Sequence, residues 1–346
     1  MADLSINNKN KIISFYLPQF HTIPENDMAW GRGFTEWTNT KKANPLYNGH
    51  YQPKIPLNNN YYDLSDGSVM EWQSALAMSY GIYGFCYYHY WMKNGKKLLE
   101  KPIEQMLKND NVKIPFCLCW ANENWTKNWD GEYSNVVVRQ EYGLKKDWKK
   151  HFYYLLDFFK DSRYITYENK PIFIIYKPEQ IAFFDEMIKY WRRLIQREGF
   201  SGLIVLRQYP GIISKQIDYG IKFQPAWSSG EYFNYDGSFV KKNPYDYCKE
   251  VVKKSAVIFG MEKTLQDFIV KHYSLEKKQK KGYTVISYDE TWNDILYTQA
   301  FNDYLCNGAF VSWDNTCRNP NGFVYEGSSP DKFGHYMSLL LNKKSA

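Results

Sequence analysis

Short apolar runs alternate with longer amphipathic stretches along most of this chain. The short runs are rich in β-branched and aromatic residues and predict strands, whereas the stretches between them have helical spacing. The seven predicted strands cover residues 12–17, 82–86, 114–118, 171–176, 203–206, 221–223 and 310–312. The predicted helices include residues 68–79, 98–107, 148–160, 183–197 and 296–305. Near-continuous apolar strands alternating with helices are typical of parallel sheets covered on both faces, so the pattern predicts an α/β fold.

Polar and aromatic side chains follow almost every predicted strand. Gln19 and His21 come after the first strand, and Trp120, Asn122 and Glu123 come after the third. Turns begin where strands end, which accounts for Asn and Gly there but not for repeated Trp, His, Gln and Glu. In a (β/α) barrel the active site is built at the carboxyl ends of the strands. The pattern therefore predicts a ligand site at that edge, without naming its chemistry.

Composition narrows the class of protein. Trp, Tyr and Phe number 12, 31 and 21 in 346 residues, and this 18% aromatic content suits a wet binding surface. The formal charge of +7 comes from scattered lysines instead of one basic stripe, which argues against nucleic acid as a partner. We expect residues 1–10 to be a flexible N-terminus and residues 11–346 to form a single domain.

Several common sites and segments have no support in the sequence. There is no run of eighteen apolar residues, and the first ten residues lack the apolar core of a signal peptide, so we expect no integral membrane segment and a cytoplasmic location. The six cysteines form no Cys-x-x-Cys pair and are expected to be free thiols. The histidines show no metal-ligand spacing, and no glycine-rich phosphate loop is present, so no metal or cofactor is expected.

Carboxylates next to aromatic rings indicate a sugar site. Aromatic faces pack on pyranose rings, and acetal chemistry needs one carboxyl group as proton donor and another as nucleophile, base or stabiliser. The candidate catalytic acids are Glu36, Glu123 and Asp314. Each has a structural alternative: Glu36 can cap a loop, and Asp314 can cap a helix or pair with Arg318. Glu123 is the hardest to explain this way, because it lies among Trp and Asn at a strand end.

The same segments resemble a known family. Phe15-Tyr16-Leu17-Pro18-Gln19-Phe20-His21, Trp30-Gly31-Arg32-Gly33-Phe34-Thr35-Glu36-Trp37, Gly49-His50-Tyr51-Gln52-Pro53, Tyr61-Tyr62-Asp63-Leu64, Trp120-Ala121-Asn122-Glu123-Asn124-Trp125 and Trp313-Asp314-Asn315-Thr316 resemble the WbsX family. That family is named as glycosyltransferases of O-antigen (lipopolysaccharide) and capsule clusters and is similar to family-99 glycoside hydrolases, the endo-α-mannosidase group. The resemblance implies a (β/α)8 TIM-barrel-like fold that acts on α-linked sugars.

The residues expected to bind substrate follow from the strand ends together with this resemblance. They are Tyr16, Gln19, His21, Trp37, His50, Tyr88, His89, Trp91, Trp120, Asn122, Trp125, Lys177, Gln224, Trp227, Trp313 and Arg318. One departure concerns the end of the chain. Relatives continue into a last strand with an Asn-Glu-Trp-x-Glu-Gly motif that carries the hydrolases' catalytic carboxylates, and no such motif follows Phe333. We therefore expect the last β/α unit to be missing, and the family's catalytic pair is carried onto no residue.

Three functions remain open on the sequence. The first is an enzyme of surface-polysaccharide biosynthesis that uses an oligosaccharide or polysaccharide substrate and an activated sugar donor. The second is a retaining endo-α-mannosidase-like hydrolase. The third is a non-catalytic carbohydrate-binding barrel. The expected cytoplasmic location favours biosynthesis, because an enzyme that degrades extracellular glycans would carry an export signal.

Overall fold

The protein is an α/β structure. The computed structural model describes residues 10–127, 132–211, 213–225, 244–265, 267–268, 282–298 and 304–342. Residues 1–9, most of the expected flexible N-terminus, lie outside these ranges. The strands are β1 (Ile13–Tyr16), β2 (Gly84–Trp91), β3 (Lys97–Leu98), β4 (Phe116–Trp120), β5 (Trp125–Lys127), β6 (Glu132–Val138), β7 (Thr166–Tyr167), β8 (Lys170–Ile175), β9 (Ile204–Arg207), β10 (Tyr219–Ile221), β11 (Thr284–Ser287), β12 (Leu305–Cys306) and β13 (Phe323–Glu326).

Helices follow most strands of the main sheet. They are α1 (Pro24–Trp30), α2 (Glu36–Lys42), α3 (Gly67–Ser79), α4 (Lys101–Lys108), α5 (Lys145–Phe159), α6 (Phe184–Arg197), α7 (Pro244–Ile258), α8 (Tyr288–Thr298) and α9 (Pro330–Asn342). The main sheet has the strand order β1-β2-β4-β8-β9-β10-β12, and every neighbouring pair in this order is parallel. The carboxyl ends of these strands therefore share one edge.

The main sheet is strongly curled. Tyr88 lies on β2 and Gln208 follows β9, three strand spacings away, which would separate them by about 14 Å in a flat sheet. Yet Gln208 Nε2 donates to the Tyr88 hydroxyl at 2.9 Å. The rings of Phe15 on β1 and Phe223 beyond β10 are 5.0 Å apart, whereas five flat spacings would span about 24 Å. The sheet thus forms at least a half-barrel, and its inner face and carboxyl edge enclose a common space.

The outer face of the sheet is covered by the amphipathic helices. All five residues of β4 are buried, and helices α5 and α6 pack over this part of the sheet. Trp191 of α6 is fully buried and its indole N–H donates to the Trp148 carbonyl of α5 at 2.9 Å. Truncation of such a buried tryptophan typically costs about 3–5 kcal/mol. These outer contacts hold the strands whose ends carry the candidate site.

The structure corrects the sequence-based expectation near the end of the chain. Helix α8 ends at Thr298, and the strand that joins the sheet is Leu305–Cys306, paired with β10, instead of residues 310–312. Phe310 is buried, and its ring packs on Tyr288 and Trp292 of α8. Phe310 therefore belongs to a local core, whereas Val311 beside it is exposed. β11 and β13, which were not among the predicted strands, form a separate parallel pair beneath these rings.

Candidate functional site

Tyrosine hydroxyls and amide side chains line the carboxyl edge of the sheet. The Tyr90 hydroxyl on β2 accepts a hydrogen bond from Gln19 Nε2 at 2.9 Å, and Gln19 follows β1. On the far side, the Tyr209 hydroxyl donates to the Tyr176 hydroxyl at 3.0 Å. Burial raises the pKa of Tyr176, and the nearby Glu123 carboxylate raises it further. Burial also raises the pKa of Tyr90, so the Tyr90 and Tyr176 hydroxyls stay protonated near neutral pH and offer hydrogen bonds instead of charge.

Glu123 forms the first carboxylate–cation pair of the site. The Glu123 carboxylate follows β4 and lies 2.5 Å from the Lys177 ammonium, which follows β8. The Glu123 side chain is 40% exposed and that of Lys177 is 19% exposed, so solvent reaches the pair. The ammonium also lies 5.1 Å from the centre of the Tyr176 ring. Among the three predicted catalytic acids, Glu123 is the most accessible to a ligand.

Glu36 forms the second pair, and its carboxylate is buried. Arg318 donates from Nε to Glu36 Oε2 at 3.1 Å and from Nη2 to Glu36 Oε1 at 2.7 Å, which is the two-pronged geometry that guanidinium groups make with carboxylates. The Glu36 side chain is only 7% exposed. Burial raises the pKa of Glu36, and Arg318 offsets part of that rise. The contact joins residues 282 positions apart and ties the start of the chain to its last part.

Asp314 is held by hydrogen bonds from the opposite end of the chain. His50 Nε2 and Gln52 Nε2 lie 2.9 and 2.5 Å from Asp314 Oδ2, and Thr316 donates its backbone N–H and its hydroxyl to Oδ1. Burial alone would raise the pKa of Asp314, but the effect of these hydrogen bonds is larger, so the pKa is lowered. The Leu46 N–H donates to His50 Nδ1, so His50 carries its proton on Nε2. With both ring nitrogens engaged, His50 is placed to orient Asp314 instead of exchanging protons with a substrate.

A row of hydrogen-bonded groups lies at the carboxyl edge together with the two carboxylate–cation pairs. The Tyr176 hydroxyl accepts from Tyr209, the Tyr88 hydroxyl accepts from Gln208, and the Tyr90 hydroxyl accepts from Gln19, whose backbone carbonyl accepts from the Glu36 N–H. Every group in this row comes from a strand end or from a loop that reaches the same edge. The arrangement combines two carboxylates, two cations and several hydroxyls, which is a set of groups that hydrogen-bonds polyols and stabilises charge in acetal chemistry.

Several rings predicted to contact substrate lie in the core instead. Trp120 is 2% exposed, and its indole N–H donates to the Trp91 carbonyl at 3.2 Å. The Trp91 ring stacks on His151 of α5 at 4.7 Å. Side chains alternate between the two faces of a strand, and Trp120 and Trp91 point outward to the helices. Their positions do not match the expectation that they face a ligand.

Other predicted contacts are also occupied by protein. The Tyr16 hydroxyl donates to Gln73 on helix α3, on the outer face of the sheet. Trp125 is buried, and its indole N–H donates to Asn26 Oδ1 at 2.9 Å. The Trp37 indole N–H donates to the Tyr62 carbonyl at 2.8 Å within a cluster of aromatic rings. The polar group of each of these three side chains is therefore engaged by another part of the protein.

The four other residues predicted to bind substrate differ in burial and in their place in the fold. His21 is buried, and burial lowers its pKa. Gln224 is half-buried just beyond β10, at the carboxyl edge. Trp313 is half-buried and packs against the core under α8. Trp227 lies outside the described residues. Among the described residues of this group, His21 follows β1 and Gln224 follows β10, and both strands end at the edge that carries the site.

His89 belongs to a buried histidine pair that makes stability depend on pH. His89 Nε2 lies 2.9 Å from His151 Nε2 in the core. Burial lowers the pKa of His89 to about 3 and that of His151 well below its usual range. The unfolded chain takes up these protons near pH 6.5, so the stabilising contribution is complete above that pH and is lost as the pH falls. We expect the unfolding free energy to decrease by about 2 kcal/mol per histidine between pH 7 and pH 5.

Urea denaturation at both pH values measures this loss. The double variant His89→Gln/His151→Gln should lack this part of the pH dependence even where its overall stability is lower. The matched control is His335→Asn, because His335 is exposed and should leave the slope as in the wild type. A wild-type slope in the double variant would contradict the assignment to the buried pair.

Sequence reasoning missed several residues of the site. Gln52, Tyr90, Tyr142, Tyr176, Gln208 and Tyr209 all hydrogen-bond within it. A signal existed for Gln52, which stands two residues after His50 in one of the recognised segments. Tyr176 is the last residue of the predicted strand at 171–176, and Gln208 and Tyr209 follow the predicted strand at 203–206, so they stand at strand ends as the predicted site residues do. Tyr142 had no such signal, because it lies in a loop before α5.

Fold and site together define an α/β protein whose carboxylates and hydroxyls gather at the carboxyl ends of a curled parallel sheet. The sequence matches the family model "Glycosyltransferase WbsX" over residues 12–346. The chain therefore belongs to the WbsX glycosyltransferase family, as the recognised segments predicted. No helix in the described part of the chain is long and apolar enough to cross a membrane.

Curated relatives and solved structures place the chain among similar proteins. "Uncharacterized protein WxcX" from two strains of Xanthomonas campestris pv. campestris is 38% identical over 190 residues. The matched segment is 55% of this chain and 27% of WxcX, so the chain spans about a quarter of these relatives. A "glycoside hydrolase-like protein" has a TM-score of 0.44 at 11% identity and covers 96% of this chain and 79% of its own. The GH99 endo-α-mannosidase of Bacteroides thetaiotaomicron has a TM-score of 0.41 at 11% identity, covering 94% of this chain and 98% of its own.

Proposed function

We propose that this chain is the sugar-handling part of a glycosyltransferase that forms or remodels glycosidic bonds in a bacterial-type surface polysaccharide, of the O-antigen or capsule kind. Membership of the WbsX family supports this proposal. The observation that carries it is the row of hydrogen-bonded tyrosine hydroxyls at the carboxyl edge, together with the pairs of Glu123 and Glu36. The proposal includes closure of the curled sheet into a TIM-barrel-like form and a cytoplasmic location, where an activated donor would be supplied.

Within this proposal the three carboxylates have different roles. Glu123 is accessible and carries the charge that contacts the reacting sugar, with Lys177 holding its carboxylate in place. Glu36 is closed off by Arg318 and shapes the wall of the site. Asp314 is held in place by His50 and Gln52 and supports the same wall. The sugar itself is expected to rest against the hydroxyls of Tyr176 and Tyr209.

The test compares transfer with hydrolysis. Purified protein is incubated with oligosaccharide acceptors and activated sugar donors, and products are identified by mass spectrometry. We expect a product that is longer than the acceptor and appears only when a donor is present. Release of reducing ends in buffer alone would replace the proposal by a hydrolase. Quenching of tryptophan fluorescence by oligosaccharide without any product would leave a carbohydrate-binding protein and overturn the proposed transfer.

A further inference from the structure

Asn122 bridges the ends of two neighbouring strands. Asn122 follows β4 and is fully buried, and Lys177 follows β8. The Lys177 backbone N–H donates to Asn122 Oδ1 at 2.8 Å, and Asn122 Nδ2 donates to the Lys177 carbonyl at 2.8 Å. One side-chain amide therefore takes the place of a strand backbone and extends the β4–β8 pairing by one residue beyond the Tyr176 N–H bond to Trp120.

Tyr142 completes the hydrogen bonding of Asn122. The Tyr142 hydroxyl donates to the Asn122 carbonyl at 2.7 Å and accepts from Asn122 Nδ2 at 3.3 Å. Both N–H groups of the amide and its oxygen then have protein partners. An amide has two donors on nitrogen and an acceptor oxygen, and these contacts engage all three in a buried position. The expectation that Asn122 binds substrate therefore does not match its surroundings.

The consequence concerns the residues on either side of the bridge. Glu123 is the next residue after Asn122, and its carboxylate meets the ammonium of the same Lys177 whose backbone Asn122 holds. We infer that Asn122, supported by Tyr142, is a positioning residue that sets the Glu123 carboxylate against the Lys177 ammonium at the sugar site. This inference rests on the proposed function, since it assigns Asn122 to the same reaction.

The expected effect is on turnover more than on binding. A displacement of about 1 Å at a reacting group can cost about 10²-fold in rate, whereas Asn122 is buried with its amide engaged by protein and is not expected to contact the sugar itself. We expect Asn122→Ala to lower kcat by about 10–100-fold with KM changed less than about threefold. Tyr142→Phe keeps the ring and removes the hydroxyl, so it should give a smaller fall in kcat of the same kind.

The first measurement does not depend on activity. In Asn122→Ala the Lys177 amide loses its acceptor, so hydrogen exchange followed by mass spectrometry should show this amide exchanging at least about tenfold faster. The Tyr176 amide donates to the Trp120 carbonyl at 3.0 Å and serves as the internal reference. The matched control is Ser74→Ala, because buried Ser74 accepts the Ile114 N–H at 3.1 Å just ahead of β4, away from the site.

The outcomes separate the inference from the proposed function. Faster exchange at Lys177 with lower kcat, and normal values for both in Ser74→Ala, is the expected result. Faster exchange with unchanged kcat in Asn122→Ala would overturn the positioning role. Transfer activity of the wild type would still support the proposed function in that case. Unchanged exchange would show that Asn122 does not hold Lys177. A wild-type protein without activity on any saccharide would overturn the proposed function and the catalytic role of the bridge together, even with faster exchange in Asn122→Ala. If Asn122→Ala fails to fold, Tyr142→Phe decides by the same two readouts.

Discussion

Replacing Glu123 by Gln is expected to lower turnover by about 10²–10⁴-fold and to leave thermal stability close to that of the wild type. The side chain is 40% exposed, and its ion pair with Lys177 is accessible to water. Exposed pairs of this kind contribute at most about 1 kcal/mol to stability. A carboxylate that stabilises or exchanges a proton with a reacting sugar contributes far more to the rate, because glutamine keeps the shape and loses the charge.

Activity and thermal unfolding are measured on the same preparations. The matched control is Glu198→Gln, since Glu198 also pairs with a lysine, Lys160, at 2.8 Å, and lies at the end of α6 away from the carboxyl edge. The control should keep wild-type activity. Loss of activity in both variants, or a large loss of stability in Glu123→Gln alone, would show that Glu123 acts through the fold and not at the site.

The second large effect is expected from Arg318→Met. This substitution leaves the Glu36 carboxylate buried without its cation, and breaking a buried pair by removing one partner typically costs about 3–5 kcal/mol. Arg318 itself is 33% exposed, so part of the pair is open to solvent and the lower end of this range is expected. Urea denaturation at pH 7 measures the loss of unfolding free energy.

Two comparisons test the cause of this loss. The double variant Glu36→Gln/Arg318→Met removes the buried charge and should recover much of the stability. Burial raises the pKa of Glu36, and loss of Arg318 raises it further, so the single variant should regain stability relative to the wild type as the pH is lowered. Lys160→Met, which breaks an exposed pair, is the control and should cost at most about 1 kcal/mol. A double variant no more stable than Arg318→Met would refute the buried-charge explanation.

Much of the site edge was predictable because it follows from local patterns. Among the seven described strands in the parallel path of the main sheet, apolar runs predicted five, and the run at 221–223 overlaps a sixth, β10, only at Ile221. The residues after the predicted strands included Gln19, Glu123 and Lys177, which the structure brings to that edge. The pattern failed for the strand at Leu305–Cys306, because a two-residue strand leaves almost no periodicity to read. The run at 310–312 was taken for that strand, since a short apolar run around one buried ring, Phe310, has the same pattern as a short strand.

The direction of each side chain was the harder part. Trp120 and Asn122 were both predicted to bind substrate from the same sequence segment. In the structure Trp120 packs outward against α5 and α6, whereas Asn122 bridges two strands. Strand alternation sets the direction of Trp120, the last residue of β4, but not that of Asn122, which lies beyond the strand and is directed by its hydrogen bonds to Lys177. Composition indicates that such rings bind sugars, but it does not distinguish a ring in the core from a ring at the surface.

The sequence by itself determined the alternation of strands and helices, the edge where polar groups collect and the family to which the chain belongs. Tertiary structure alone decided the partners: Glu36 meets Arg318 and His50 meets Asp314 across 282 and 264 residues, and Tyr142 completes the bridge at Asn122. Local patterns arise from the periodicity of neighbouring residues along the backbone. Contacts between distant residues arise from how the curled sheet folds the chain back on itself, and that path is set by packing of the whole core.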